Sequence, residues 1–226
     1  MTASWFCPLL LAVLPPAPGS IVATDNFAAA SDRWVIEQQP GGTVRIGGGV
    51  LEIEDVAGCT VWWRQRLTVP VVIRYEATVV SAGGPHDRVS DLNCFWMATD
   101  PRSPDDLFFP GHGRTGKFTD YDRLRTYYVG QGGNTNTTTR FRRYAGDGTK
   151  PLAPENDRRE KSVLLEGNRP YRIMVMALAD GTVRYYRDDV LIFECKDPAP
   201  LRSGWFGFRT VDSHLRIRNF SIARPD

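Results

Sequence analysis

The sequence predicts an all-β sandwich or jelly roll, and three observations carry that prediction. About a dozen short segments rich in β-branched and aromatic residues recur along the chain, most of them with alternating polarity. Gly, Pro, Asn and Asp punctuate the intervals between them. Sustained i, i+3, i+4, i+7 periodicity is missing, so no long amphipathic helix is expected.

The segments follow in order. Residues 34–38, 43–46 and 50–54 are short strands set apart by Gly-rich turns, and in the third Val50, Leu51 and Ile53 supply the apolar content while Glu52 and Glu54 face out. Residues 60–66 and 71–80 follow, the latter long enough to cross a whole sheet. Residues 91–98, 123–130 and 137–144 are three central strands. Residues 171–178 and 183–188 flank Asp180-Gly181, a strong hairpin signal. Residues 190–195, 204–211 and 215–223 complete the pattern. Two stretches depart from it, residues 99–122 and 147–161, which are long, charged and rich in Pro and Gly. Loops of that length in a compact domain serve function or are disordered. Phe108, Phe109 and Phe118 argue for order in the first.

At 226 residues the chain suits one domain, large enough to fold without metal or disulfide staples. Lys and Arg number 28 against 26 Asp and Glu, a net charge of +2 that does not fit a nucleic-acid-binding protein. Arg far outnumbers Lys, and Arg grips carboxylates and planar groups bidentately. Near the N-terminus, Trp5 to Leu14 is an apolar run too short to span a bilayer, followed by a Pro-rich break and small residues. It is expected to be a secretory leader over residues 1–23, leaving residues 24–226 as one secreted or periplasmic domain with no membrane attachment. Cys59, Cys94 and Cys195 then remain, an odd number best read as small buried apolar residues. No spacing suggests a metal or cofactor site.

The chemistry concentrates in two stretches, HDRVSDLNCFWMATD from His86 and YDRLRTYYVGQGGNTNTTTRFRRYAGDG from Tyr121. Alternation divides residues 91–98 into an apolar core face (Leu92, Cys94, Trp96, Ala98) and a mixed face (Asp91, Asn93, Phe95, Met97). The same division puts Arg123, Arg125, Tyr127 and Val129 on one side of the next strand, and Thr138, Arg140, Arg142 and Tyr144 on one side of the third. Asp91, Asn93, Arg125, Tyr127 and Arg140 are assigned to a ligand-lining face, with Asn134 in the turn between the strands. Arg123, Arg142 and Arg143 are assigned to solvated cross-strand ion pairs. Such a set binds sugar hydroxyls and carboxylates by directed hydrogen bonds, with rings stacked on the sugar faces. His112, flanked by Gly111 and Gly113, is the best candidate for proton transfer. No nucleophile elbow, P-loop, zinc-protease motif or dinucleotide fingerprint is present.

The two central stretches and GWFGFRTVDSHLRIRNFSI near the C-terminus resemble the YesU-like proteins, a bacterial concanavalin-A-like jelly-roll family found among proteins of rhamnogalacturonan and related polysaccharide use. The resemblance covers about Phe27 to the C-terminus. It implies a lectin- and glucanase-like jelly roll with long loops over the concave sheet, and a polysaccharide or oligosaccharide as partner. Related glucanases carry an E-x-D-x-x-E strand; Glu52-Ile53-Glu54-Asp55 lacks the third acid. Jelly-roll lyases neutralise a uronate carboxylate with Arg, Gln or Asn and move protons with His and Tyr. By that analogy Asn93, Arg125 and Arg140 are the neutralisers, His112 the base and Tyr127 the acid. The expectation is action on an acidic, pectin-like polysaccharide by β-elimination. The alternatives are a glycoside hydrolase using Asp91 with Asp100 or Asp122, and a non-catalytic glycan-binding module.

Overall fold

The computed structural model describes residues 19–225. In chain order the first strands are β1 (Ser20–Asp25), β2 (Trp34–Gln38), β3 (Thr43–Gly47), β4 (Val50–Asp55), β5 (Cys59–Trp63) and β6 (Leu67–Thr68). Next come β7 (Val71–Val79), β8 (Leu92–Thr99), β9 (Arg125–Gly132), β10 (Thr138–Ala145) and β11 (Asp157–Arg158). The C-terminal third adds β12 (Pro170–Ala177), β13 (Thr182–Arg187), β14 (Val190–Lys196), β15 (Ser203–Thr210) and β16 (Ser213–Arg224).

These strands form two antiparallel sheets of a sandwich. The first has the order β14-β13-β12-β7-β16-β4-β3, with β1 also on β16; the second has the order β11-β10-β9-β8-β15-β5-β2, with β6 on β15. The expected leader lies outside the described residues except for its last few. Of these, Ser20 to Ala23 already run in β1, paired with the end of β16.

The local reasons are those the sequence suggests. In β4 the side chains of Leu51 and Ile53 are buried between less buried neighbours, as alternation requires. The β12–β13 hairpin turns at Gly181 (φ 87°), and the Asp180 carboxylate accepts from the Thr182 backbone N–H at 2.9 Å. The β13–β14 turn places Asp188 and Asp189 both at positive φ, as a type I′ turn demands.

Between the sheets lies one core. Leu51, Ile53, Ile73, Val175 and Ile217 of the first sheet meet Val61, Trp63, Cys94, Trp96, Val129 and Phe208 of the second. Cys59 and Cys94 are buried free thiols and Cys195 is a half-buried one. Burial pushes the Cys94 thiol up to about 12.

A second apolar layer covers part of the outer face of the second sheet. Trp62, Phe95, Tyr128, Tyr144 and Trp205 on the strands pack with Leu107, Tyr121 and Leu124 of the 100–124 loop. This corrects the face assignment on β8. Phe95 is on the outer face as expected but is fully buried, because the loop lies on it. Beyond Phe95 the alternation slips: Met97 sits at φ 54°, its side chain joins the inter-sheet core, and Ala98 joins the outer layer. A bulge of this kind shifts side chains between faces.

Polar chemistry pins the loop. Arg114, with no side-chain exposure, lies 3.0 Å from Glu37 and 3.5 Å from Asp100. It also donates to the Leu107 carbonyl at 2.6 Å. Glu37 accepts from Trp62 Nε1 and from the Tyr121 hydroxyl, each at 2.9 Å. One half of the outer face is therefore sealed, and the other half is left open.

Candidate functional site

The open half is a cleft of about 440 Å³ running over β9 and β10, within the size range of ligand sites. Its floor is aromatic. Phe118 lies 5.7 Å from Tyr128, and Tyr128 lies 5.7 Å from Tyr144, ring centre to ring centre. Gly130 keeps the floor low at the middle of β9, since a Cβ there would stand 3.0 Å from the Tyr128 hydroxyl. Burial pushes the Tyr128 and Tyr144 hydroxyls up, so both rings stay neutral. The Tyr144 hydroxyl is buried and has no hydrogen-bond partner among the described residues.

Cations line one end and the flank. Arg140 holds Asp157 through Nε at 2.8 Å. That bond, joined by one from Arg159, pulls the Asp157 carboxyl down to about 2. Lys150 Nζ lies 2.9 Å from Asp122 and sits over the Phe118 ring. Arg142 donates to the Lys150 carbonyl and has no carboxylate partner among the described residues. The ion-pair assignment for Arg142 is thus corrected: it lines the cleft with its charge uncompensated.

At the other end stand Arg88, Asp91, Asn134, Thr135 and Thr138. Asp91 accepts from Arg88 Nη2 at 2.9 Å, from the Ser90 hydroxyl at 2.5 Å and from Asn93 Nδ2 at 3.2 Å. Arg88 is in turn fixed by the carbonyls of Asp212 and Val211.

Of the seven residues singled out in the sequence, the cleft brings together Asp91, Asn134 and Arg140. Asn93 is buried behind Asp91 on the same face, its Oδ1 without a partner among the described residues. Arg125 is exposed at the start of β9 and is not part of the lining. His112 lies in a separate hollow with Arg102, Asp120 and Arg123. Its Nδ1 accepts from the Arg114 backbone N–H at 3.0 Å, and burial with the nearby Arg114 charge lowers its pKa.

Tyr127 is on the opposite face. Register pairs it with Trp96 and pairs Val129 with Cys94, so both point into the core. Its hydroxyl donates to Asp197 at 2.7 Å and accepts from the Leu201 N–H at 3.0 Å. The Tyr127 assignment to the cleft face is corrected on that ground; Tyr128 takes the place. Alternation cannot choose between adjacent tyrosines when each face offers its ring apolar contacts. Arg88, Phe118, Tyr128, Thr135, Arg142, Tyr144 and Lys150 were not assigned to the ligand from sequence. Tyr144 and Arg142 share the alternation class of Arg140, which was the available signal. Phe118 and Lys150 come from loops and had none.

A family model described as a domain of unknown function, DUF6250, matches residues 53–220. No curated protein matches the chain by sequence. Among solved structures, a protein of unknown function with a galectin-like fold from Bacillus subtilis superposes with a TM-score of 0.73 at 18% identity, over 93% of this chain and 98% of its own. The carbohydrate binding module CBM66 from Bacillus subtilis gives a TM-score of 0.56 at 12% identity, over 84% and 95%. A prokaryotic β-1,3-1,4-glucanase (lichenase) derived from a mouse hindgut metagenome gives 0.53 at 11%, over 90% and 99%. At these identities the likeness is one of fold, and the fold is the lectin and glucanase jelly roll.

Proposed function

The chain belongs to the DUF6250 family, whose description names no activity, and we propose from the cleft itself that the protein binds an acidic polysaccharide or oligosaccharide there. One observation carries the reading: Arg142, without a carboxylate partner among the described residues, shares an aromatic-floored cleft with Arg140 and Lys150. A guanidinium fork matches a carboxylate bidentately. The half-buried Phe118 ring, backed by Tyr128 and Tyr144, gives the cleft an apolar surface that suits a sugar ring. Jelly-roll neighbours that include a carbohydrate binding module and a glucanase support the choice of a glycan. The resemblance of the central motifs to YesU-like proteins supports a pectin- or rhamnogalacturonan-like polymer. The leader-like N-terminus supports a site of action outside the cytoplasm.

Binding fits the geometry better than cleavage by paired carboxylates. Asp91 is the one carboxylate lining the cleft among the described residues, and it is already engaged by Arg88. Asp100 is held by Arg102 and Arg114, and Asp122 by Lys150. A second reading, β-elimination in the same cleft, is favoured by Arg142, whose guanidinium, with no carboxylate partner among the described residues, would neutralise a uronate and acidify the adjacent C–H. In it water takes the proton beside the neutralised carboxylate and returns one to the leaving oxygen, so that the glycosidic C–O bond breaks as the C=C bond forms. Calorimetric titration with oligogalacturonates should show binding that weakens with salt and is lost in Arg142→Gln. Equal binding of neutral oligosaccharides would overturn the acidic reading. Ultraviolet absorbance of an unsaturated uronate on prolonged incubation adds the elimination; its absence leaves binding alone.

A further inference from the structure

The end of the cleft away from Arg142 is built from backbone that costs free energy. Asn134, Thr135 and Asn136 are consecutive non-glycine residues at φ 52°, 57° and 57°, and Asp91, beside them, is at φ 58°. For a β-branched residue such as Thr135 this conformation is a marked outlier. Backbone strain persists where the surroundings over-determine it, and it clusters where it is used.

The turn is over-determined from both sides. The Asn136 side chain donates to the Leu165 carbonyl and accepts from the Leu165 N–H, both at 2.8 Å. Thr137 Oγ1 donates to the Asn134 carbonyl at 2.8 Å. Arg88 ties the two strained pieces together, donating from Nη2 to Asp91 at 2.9 Å and from Nη1 to Thr135 Oγ1 at 3.3 Å. These bonds hold Asn134 and Thr135 exposed along the cleft.

We propose that Asp91, Asn134 and Thr135 form a second subsite that reads the hydroxyls of an uncharged sugar ring. The inference rests on the acidic-glycan reading of the cleft. Charge separates the two ends: Arg88 and Asp91 cancel each other, whereas Arg142 is uncompensated. Hydrogen-bond capacity supplies the match. Thr135 Oγ1 accepts from Arg88, which leaves its own hydrogen to donate into the cleft. Asp91 Oδ1 accepts one bond, from Asn93, and keeps room for another. A donor and an acceptor side by side suit neighbouring sugar hydroxyls. From Thr138 to Arg142, β10 advances about 13 Å, so the two ends contact different rings of one ligand. The ligand class is therefore a mixed glycan, in which an uncharged sugar accompanies an acidic one.

Thr135→Gly and Thr135→Ser test this by thermal melts and by titration with two probes, a tetrasaccharide alternating uronate with neutral sugar and a homouronate of the same length. Wild type should prefer the mixed probe by about tenfold. Thr135→Gly should melt higher, because glycine accepts the left-handed turn, yet lose that preference, its affinity falling more for the mixed probe than for the homouronate. Thr135→Ser should keep the preference. A Thr135→Gly protein with its preference intact, or a wild type that binds both probes alike, overturns the subsite and leaves the acidic cleft standing. A wild type that binds neither overturns the acidic-glycan reading and the subsite with it.

Discussion

Replacing Arg114 with Met tests what holds the 100–124 loop over the second sheet. The Arg114 side chain has no exposure, and that of Glu37 is 4% exposed. Three contacts go with the guanidinium: Glu37 at 3.0 Å, Asp100 at 3.5 Å and the Leu107 carbonyl at 2.6 Å. Methionine fills much of the stem volume, so the loss is electrostatic. Breaking a buried pair and stranding its partner costs about 3–5 kcal/mol. Glu37 keeps its donors from Trp62 and Tyr121, and Asp100 keeps Arg102, which argues for the lower part of that range. For a chain of this size each kcal/mol moves the melting temperature by about 2–4 °C, so a fall of roughly 6–15 °C is expected. Urea denaturation with matched m values gives the free energy directly. Adding Glu37→Gln should recover part of the loss, because the stranded carboxylate becomes neutral. A loss below about 1 kcal/mol, the worth of an exposed pair, would refute the buried-latch account. Since the loop carries Phe118 into the cleft, glycan affinity should fall in the same variant.

Other outcomes follow from single contacts. Tyr127→Phe should cost about 1–3 kcal/mol by withdrawing a buried donor from Asp197, measured by urea titration, with glycan affinity unchanged. Arg125→Gln should leave affinity unaltered where Arg142→Gln weakens it by at least about tenfold, both read by calorimetry. The Asp157 carboxyl is held down to about 2 by Arg140 and Arg159. A folded pKa below the unfolded value stabilises above the unfolded pKa and is lost as pH falls through the folded one. Melting temperature should therefore drop between about pH 4 and pH 2, and the drop should be shallower in Asp157→Asn. Cys59 and Cys94 should resist iodoacetamide until the protein unfolds, since burial raises both thiols; labelling is read by mass spectrometry.

Much of the fold was legible because strand signals are local. The 190–195 segment reappears as β14, and the Asp180-Gly181 turn joins β12 to β13. The two-residue strands β6 and β11 were not legible, being too short to show a period. Strand β1 was hidden inside a stretch that also resembles a leader. The site was legible in proportion to how locally each residue is placed. Asp91, Asn134 and Arg140 sit beside their own strand or turn signals, and they do line the cleft. His112 was chosen for its flanking glycines, but the loop folds so that it faces Arg102 and Asp120 instead.

Local alternation by itself determined that β8, β9 and β10 exist, that the chain is all-β, and that polar groups crowd one region. Tertiary structure alone decided which tyrosine faces the core, because cross-strand register with β8 sets the parity of β9. It also decided which half of the outer face stays open. That choice depends on Glu37, Asp100 and Arg114, far apart in the chain, meeting beneath one loop. A buried ion pair of this kind leaves no periodic trace in a sequence, since its energy comes from exclusion of water by residues that are not neighbours.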